Sequence, residues 1–331
     1  MFTSKSTDHI AFLSRQLSHL SEGKDLHSAL AELRDSCPKQ YATEIKYLED
    51  LLSGDKEGGP TLGPNPYRTL SRLLPEVADA KGQLFRGFVD YVRQSKVVFE
   101  TYWAGVVGMI WYLGALSSIM IVVLLIFGLS TIPAFQQLFY EHGAELPALT
   151  TAVFRFGGFG FPTFALVISI LVGAIIWFVA MFHRRIQRLE PLPKWPPWIP
   201  LVGRVSKYYN LGLMLNFSRL LMESGVSPDQ AIKIASREAN VPDTVTNGST
   251  SFAAGDVGDF SIISELAIAA RLGNLRDEVA YQCEEHIGKL SLVLMDARDR
   301  FSLILKIIIY AFVATLVVAM YLPIFKLGSV I

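Results

Sequence analysis

Three stretches of this chain carry no charged side chain over a length that matches a lipid bilayer, and nothing else in the sequence restricts the fold as strongly. No Asp, Glu, Lys or Arg occurs between Glu100 and Glu141. The core of that interval, VGMIWYLGALSSIMIVVLLIFGL (107–129), exceeds the ~20 residues a helix needs to cross hydrocarbon. A second uncharged window lies between Arg155 and Arg184, centred on 161–182, and a third, 307–325, is bracketed by Lys306 and Lys326. A buried helix of a soluble protein can imitate one such window, but hardly three. The composition agrees: of 331 residues, 51% are hydrophobic and only 18% charged, so part of the chain is expected in lipid.

Lysine and arginine near the span ends predict the orientation. Arg93 and Lys96 precede the first span. Arg184, Arg185, Arg188 and Lys194 follow the second, and Arg298, Arg300 and Lys306 precede the third. The loop between the first two spans offers only Arg155, against Glu141 and Glu145, and only Lys326 lies beyond the third. The expectation is a cytoplasmic N-terminal region, a hairpin with a short outer loop, a cytoplasmic middle region and an outer C-terminus. The first twenty residues have no apolar core of signal-peptide length, which predicts that they stay where they are made.

Directly after the second span comes PLPKWPPWIPLVGR (191–204), with five prolines and two tryptophans. The prolines are expected to stop the helix, and Trp195 and Trp198 suit a half-wet interfacial layer. The segment, through Arg204, reads as an elbow between membrane and cytoplasm. A proline-rich docking motif is the competing reading.

The two cytoplasmic regions share their punctuation. SEGKDLHSAL places Gly23, Asp25, Ala29 and Leu30 at the spacing at which ESGVSPDQAI places Gly225, Ser227, Ala231 and Ile232. Each glycine is expected to end one helix, and Asp25 or Ser227 to cap the next; Pro228 suits the first helical position and Gln230 that of a capping-box partner. The helices beyond present apolar stripes, Leu26, Ala29, Leu30 and Leu33, then Ala231, Ile234 and Ala235. A second landmark follows in each region: ADAKGQL (78–84) and AARLGNL (269–275), an alanine, three residues, a glycine, one residue and a leucine. Two landmarks in one order predict a duplicated helical module. The glycine-rich stretches 53–66 and 247–261 lack a Gly-Lys-Ser/Thr ending and read as loops.

Chemistry is sparse. Cys37 and Cys283 stand in no metal-ligand spacing, and Cys283 falls in an apolar stripe with Leu275, Val279 and Ile287 that predicts a buried thiol. His9, His19, His27, His142, His183 and His286 form no metal pair and read as ordinary surface or interface histidines. No HExxH, GxSxG or Walker motif occurs, and no basic run suggests nucleic acid. The spans hold no internal charge of the sort that marks an ion path, which disfavours a self-contained transporter. Small residues recur in them, among them Ala104 and Gly108, Gly114 and Ser118, and Ser169 and Gly173, fitting close helix packing within one subunit or between subunits.

WIPLVGR (198–204), MESGVSPDQAIKIA (222–235), LGNL (272–275) and MYLPIF (320–325) make the chain resemble the polytopic inner-membrane platform proteins of type IV pilus and type II secretion machines. The resemblance covers nearly the whole chain. It implies an all-α membrane protein of three transmembrane helices and two homologous cytoplasmic helical bundles of the F type, without catalysis or cofactor. It also implies partners: a cytoplasmic hexameric assembly ATPase, pilins in the membrane, other inner-membrane assembly proteins and further copies of the chain. The family often carries Gly-Glu where this chain reads Ala78-Asp79 and Ala269-Ala270. Asp79 is thus the one carboxylate left for an inferred cation site; with no second acidic ligand nearby, a solvated or helix-pairing carboxylate competes with that role.

The expected divisions are a cytoplasmic domain over 1–103, a first span over 104–129, an outer loop over 130–160 and a second span over 161–182. The elbow over 183–200, a second cytoplasmic domain over 201–302, a third span over 303–325 and an outer tail over 326–331 complete the chain. Gly23, Asp25, Ala29, Gly225, Ser227, Ala231, Lys233, Arg237, Trp195, Trp198 and Arg204 are the candidate partner-binding residues, with core and turn roles as their alternative. The membrane subunit of an ATP-driven transporter and a membrane-bound enzyme are the rival functions.

Overall fold

A computed structural model describes residues 5–53, 66–77, 80–126, 130, 132–141, 161–193, 200–242 and 257–328. The α-helices are α1 (Lys5–Leu20), α2 (Leu26–Ser36), α3 (Ala42–Ser53), α4 (Tyr67–Leu73), α5 (Lys81–Ile126), α6 (Ile132–Glu141), α7 (Phe161–Gln187), α8 (Pro200–Glu223), α9 (Pro228–Glu238), α10 (Val257–Leu272) and α11 (Leu275–Gly328). Short 3₁₀ turns at Lys39–Tyr41 and Leu74–Glu76 lead into α3 and out of α4. No strand occurs among the described residues. The chain forms two compact units, one of Met1–Thr101 with Met181–Met295 and one of Tyr102–Ala180 with Asp296–Ile331.

Helical periodicity builds the core of the first unit. Ile10, Leu13 and Leu17 line one face of α1, and Ile45, Leu48 and Leu52 one face of α3, all buried. Leu26, Ala29, Leu30 and Leu33 bury the expected stripe of α2. Phe85, Phe88 and Phe217 are fully buried, each contributing roughly 1.5–3 kcal/mol. The two sequence regions meet within this core. A Cβ on Gly87 of α5 would lie 2.7 Å from the Leu220 side chain of α8, so the helices meet closely at a residue without one. Aromatic rings continue the junction, with Tyr67 6.0 Å from Phe88, Phe88 6.4 Å from Tyr91 and Tyr91 6.3 Å from Phe217.

The paired hairpins agree in backbone. Gly23 and Gly225 adopt φ of +82° and +86°, left-handed values that L side chains resist. Asp25 (φ −65°, ψ 143°) and Ser227 (φ −61°, ψ 144°) are extended N-caps, each opening a helix of 11 residues. The expected capping hydrogen bonds are absent: neither side chain bonds its helix, and Ser28 Oγ instead donates to the Asp25 carbonyl at 2.7 Å. In α9 the buried stripe is Ala231, Ile232 and Ala235, with Ile234 half-buried, because the helix packs about one position round from the expected face.

The second landmark splits. Gly273 is left-handed (φ +79°) and ends α10, with the Asn274 N–H donating back to Ala269 O at 3.1 Å. Gly82 lies inside the first turn of α5 with no positive φ. The same letters make a helix stop in one region and a helix start in the other. Leu84 and Leu275, the leucines that follow, are both buried.

In the second unit many large apolar residues are exposed. One helical stretch among the described residues, Lys81–Ile119, is long and apolar enough to cross a membrane, and 6% of its most apolar window is buried. Trp111, Ile119, Val122 and Ile126 of α5, Ile170 and Trp177 of α7, and Ile307, Tyr310, Tyr321 and Phe325 of α11 are exposed. A Cβ on Gly105 would collide with the Arg298 guanidinium, whereas Gly108, Gly114 and Gly173 have no described neighbour within 4 Å.

Candidate functional site

The elbow is held by side chains that the sequence reading passed over. Helix α7 stops before the prolines: Leu189 turns left-handed (φ +51°) and the Glu190 N–H closes back on Arg185 O at 3.1 Å. The turn itself is made by a leucine, with the prolines beyond it unable to continue the helix. That conformation costs a non-glycine residue about 1–2 kcal/mol, so its surroundings must enforce it. They do. Leu189 is buried, and Thr69 Oγ1 of α4 donates to Arg188 O at 3.0 Å and to Leu189 O at 3.4 Å.

Leu192 stands between two prolines, neither of which has an N–H to offer. The buried Asn210 of α8 takes both backbone groups of Leu192: the N–H donates to Oδ1 at 2.8 Å, and Nδ2 donates to the carbonyl at 2.9 Å. Ser206 Oγ donates to Pro193 O at 2.9 Å, and the Arg185 guanidinium donates to Pro191 O at 3.3 Å. Over residues 188–193 the backbone is thus tied down by side chains from α4, α7 and α8. Trp195, Trp198 and Lys194 lie outside the described residues; Arg204 is exposed in the first turn of α8.

A cleft lies between α5, α8 and α11 of the first unit, lined by Tyr91, Ser95, Tyr209, Gly212, Asn216 and His286, among others. His286 is 1% exposed, so of the surface and interface readings it takes the interface one, between helices. Its Nε2 lies 2.8 Å from the Tyr208 carbonyl, which can only accept, so Nε2 carries the proton and Nδ1 is left as an acceptor. That Nδ1 is buried with no hydrogen-bond partner. The ring stacks on Tyr208 at 5.9 Å, and it reaches the α8 backbone only because position 212 is glycine: a Cβ there would stand 2.9 Å from Cδ2 and Nε2. Burial holds the imidazole below its usual range, with Lys289 acting in the same direction. Burial likewise raises Tyr91 and Tyr209, and pushes the Cys283 thiol up to about 12. Cys283 is fully buried, as its stripe predicts.

The hairpin candidates divide by what they touch. Ala29 and Ala231 are core, with no exposure. Arg237 is engaged within the chain: its guanidinium donates to Glu76 at 2.8 Å and to Glu238 at 3.4 Å, while Arg72 stands 3.9 Å from Glu238. This group ties the end of α9 to the end of α4. Lys233 remains exposed on the outer face of α9. Gly23 and Gly225 serve their turns, and Asp79 lies outside the described residues. Among the described residues no three His, Cys, Asp or Glu side chains gather as a metal site would require.

The arrangement offers fixed backbone, close helix contacts and one buried histidine. The deep tyrosines and thiol are held in their protonated, unreactive forms. Thr69, Asn210, Gly212 and His286 were missed because each is polar or small in a helix, where sequence alone reads a surface or spacer position. No family model, curated protein or solved structure matches the chain.

Proposed function

We propose that this chain is an inner-membrane platform protein of a type IV pilus assembly machine, a scaffold that passes the motion of a cytoplasmic hexameric ATPase to pilins in the bilayer. In this reading three helical spans, within 104–129, 161–182 and 303–325, carry two related cytoplasmic modules, with the N-terminus inside and the C-terminus outside. The protein works by mechanical coupling as a homo-oligomer and catalyses nothing.

One observation supports the reading above the others: the two hairpins repeat a left-handed glycine, an extended cap and an 11-residue helix at equivalent sequence positions. The second hairpin lies within MESGVSPDQAIKIA (222–235), one of the stretches that carry the family resemblance. The outward-facing apolar residues of the second unit add a second support, since surface of this kind exposed to water is costly and lipid removes the cost. The elbow suits the role. A scaffold that transmits force needs a junction whose backbone does not yield, and Asn210, Ser206 and Thr69 supply one.

The test is purification of the full chain from mild detergent together with the pilus-type ATPase of the same cell. Co-elution at a fixed ratio is expected, weakened by Lys233→Glu on the exposed face of α9. Arg237 is unsuited to this test, because reversing it also breaks its pair with Glu76. Reporter fusions that place 201–302 outside the cell would overturn the proposal.

A further inference from the structure

Lys306 presents a charge without an obvious purpose. Its ammonium group sits 5.4 Å from the centroid of the Tyr112 ring, and the Tyr112 and Tyr310 hydroxyls are hydrogen-bonded to each other beside it. No carboxylate pairs with it among the described residues, although Lys289, Arg298 and Arg300 earlier on the same helix all have one. Around it the surface is apolar and exposed: Leu303, Ile304 and Ile307 on α11, and Trp111 on α5. A half-buried cation over an aromatic face, flanked by hydroxyl groups and ringed by exposed aliphatic side chains, is complementary to an anion that carries its own hydrocarbon.

We propose that Lys306, Tyr112 and Tyr310 form a binding point for the phosphodiester of an anionic phospholipid at the cytoplasmic edge of the bilayer. The ammonium faces the phosphate, the Tyr112 hydroxyl, itself accepting from Tyr310, donates to one of its oxygens, and the acyl chains lie along Trp111, Leu303 and Ile307. The proposal rests on the membrane reading above and refines it. Lys306 marks where the third span begins, and the ring it covers belongs to the first, so the hydrocarbon edge on α5 falls near Trp111 and Tyr112 rather than at Ala104. From Tyr112 to the expected end of that span at 129 leaves about 18 residues, still within the ~17–25 that suffice. Both aromatic residues then occupy the interfacial layer that suits them.

The experiment is native mass spectrometry of the detergent-solubilised full chain, titrated with phosphatidylglycerol and, separately, with phosphatidylcholine. Lys306→Gln is expected to weaken phosphatidylglycerol binding roughly fivefold, the scale of one basic residue at an anionic surface. Lys306→Arg should stay within about twofold of the parent, and Lys46→Gln, exposed on α3 of the first unit, serves as the charge-matched control. Unchanged phosphatidylglycerol affinity in Lys306→Gln would overturn the site, and an equal loss for phosphatidylcholine would overturn the preference for anionic lipid. Fractionation of each variant separates the two levels: a chain that leaves the membrane with carbonate defeats the membrane reading itself, whereas an integral chain with unaltered lipid binding defeats only this site.

Discussion

Replacing Gly212 with alanine tests the closest junction in the first unit. In an isolated helix the change would stabilise by about 0.5–1 kcal/mol, since alanine is the better helix former. Here the new methyl would stand 2.9 Å from two ring atoms of His286, closer than carbon atoms pack. The ring cannot simply turn aside, because its Nε2–H is held by Tyr208 O at 2.8 Å. Overpacking of this kind costs about 1–3 kcal/mol, and a displaced ring would leave a buried donor unpaired at a further 1–3. The unfavourable terms win, and a net loss of roughly 1–3 kcal/mol is expected. Amide hydrogen exchange along α8 in mild detergent reads that loss locally. Gly82→Ala, at a helical position with no neighbour within 4 Å, is the control and should be neutral or slightly stabilising. In Gly212→Ala/His286→Ala the collision disappears, so the double variant should recover at least about 1 kcal/mol relative to the sum of the single changes. A Gly212→Ala protein as protected as the parent, or strict additivity in the double variant, would refute the argument.

Asn210→Ala strips both partners from the buried Leu192 backbone and should cost about 2–4 kcal/mol, with the Leu192 amide, protected in the parent, becoming the fastest exchanger in the elbow. His286 gives a pH signature. Its folded value lies below 6.5, so the unfolded chain takes up the proton first; stability is full above about 6.5 and declines as pH falls toward the folded value, and His286→Phe should flatten the slope of melting temperature just below about pH 6.5. Gly225→Ala forces a side chain into φ +86° and should lower stability by about 1–2 kcal/mol, while Gly225→Asn recovers part of it, as thermal unfolding would record. Cys37, partly exposed, should react with maleimide in the folded protein, and Cys283, buried with its thiol pushed up to about 12, only after unfolding, as mass spectrometry of the labelled chain would show.

The sequence made some of this plain and hid the rest for physical reasons. Gly23 and Gly225 were readable because a left-handed turn leaves a local mark, a glycine followed at fixed distance by a cap and an apolar face. The stripe of α2 was readable from periodicity alone. Gly82 and Gly273 misled, since identical spacing around a glycine does not say whether a helix ends or starts there; that depends on what packs on either side. Asn210 and Thr69 could not be found, because their partners are backbone groups 18 and about 120 residues away, and backbone carries no letter in the sequence. The bond between His286 and Tyr208 spans 78 positions and is visible only as an unexplained glycine inside an otherwise bulky helix, at Gly212. The apolar windows announced themselves through the absence of charge, a signal that needs no partner at all.

The shared core of the first unit has a practical result for anyone who wishes to work with one region by itself. A fragment beginning at 201 loses Tyr91 from against Phe217, Gly87 from under Leu220 and Glu76 from beside Arg237. A fragment ending near 100 leaves the opposite side of each of those pairs bare. Either excised piece carries a raw oily flank into water, and its tendency to clump in the test tube reports the missing half rather than any natural self-association.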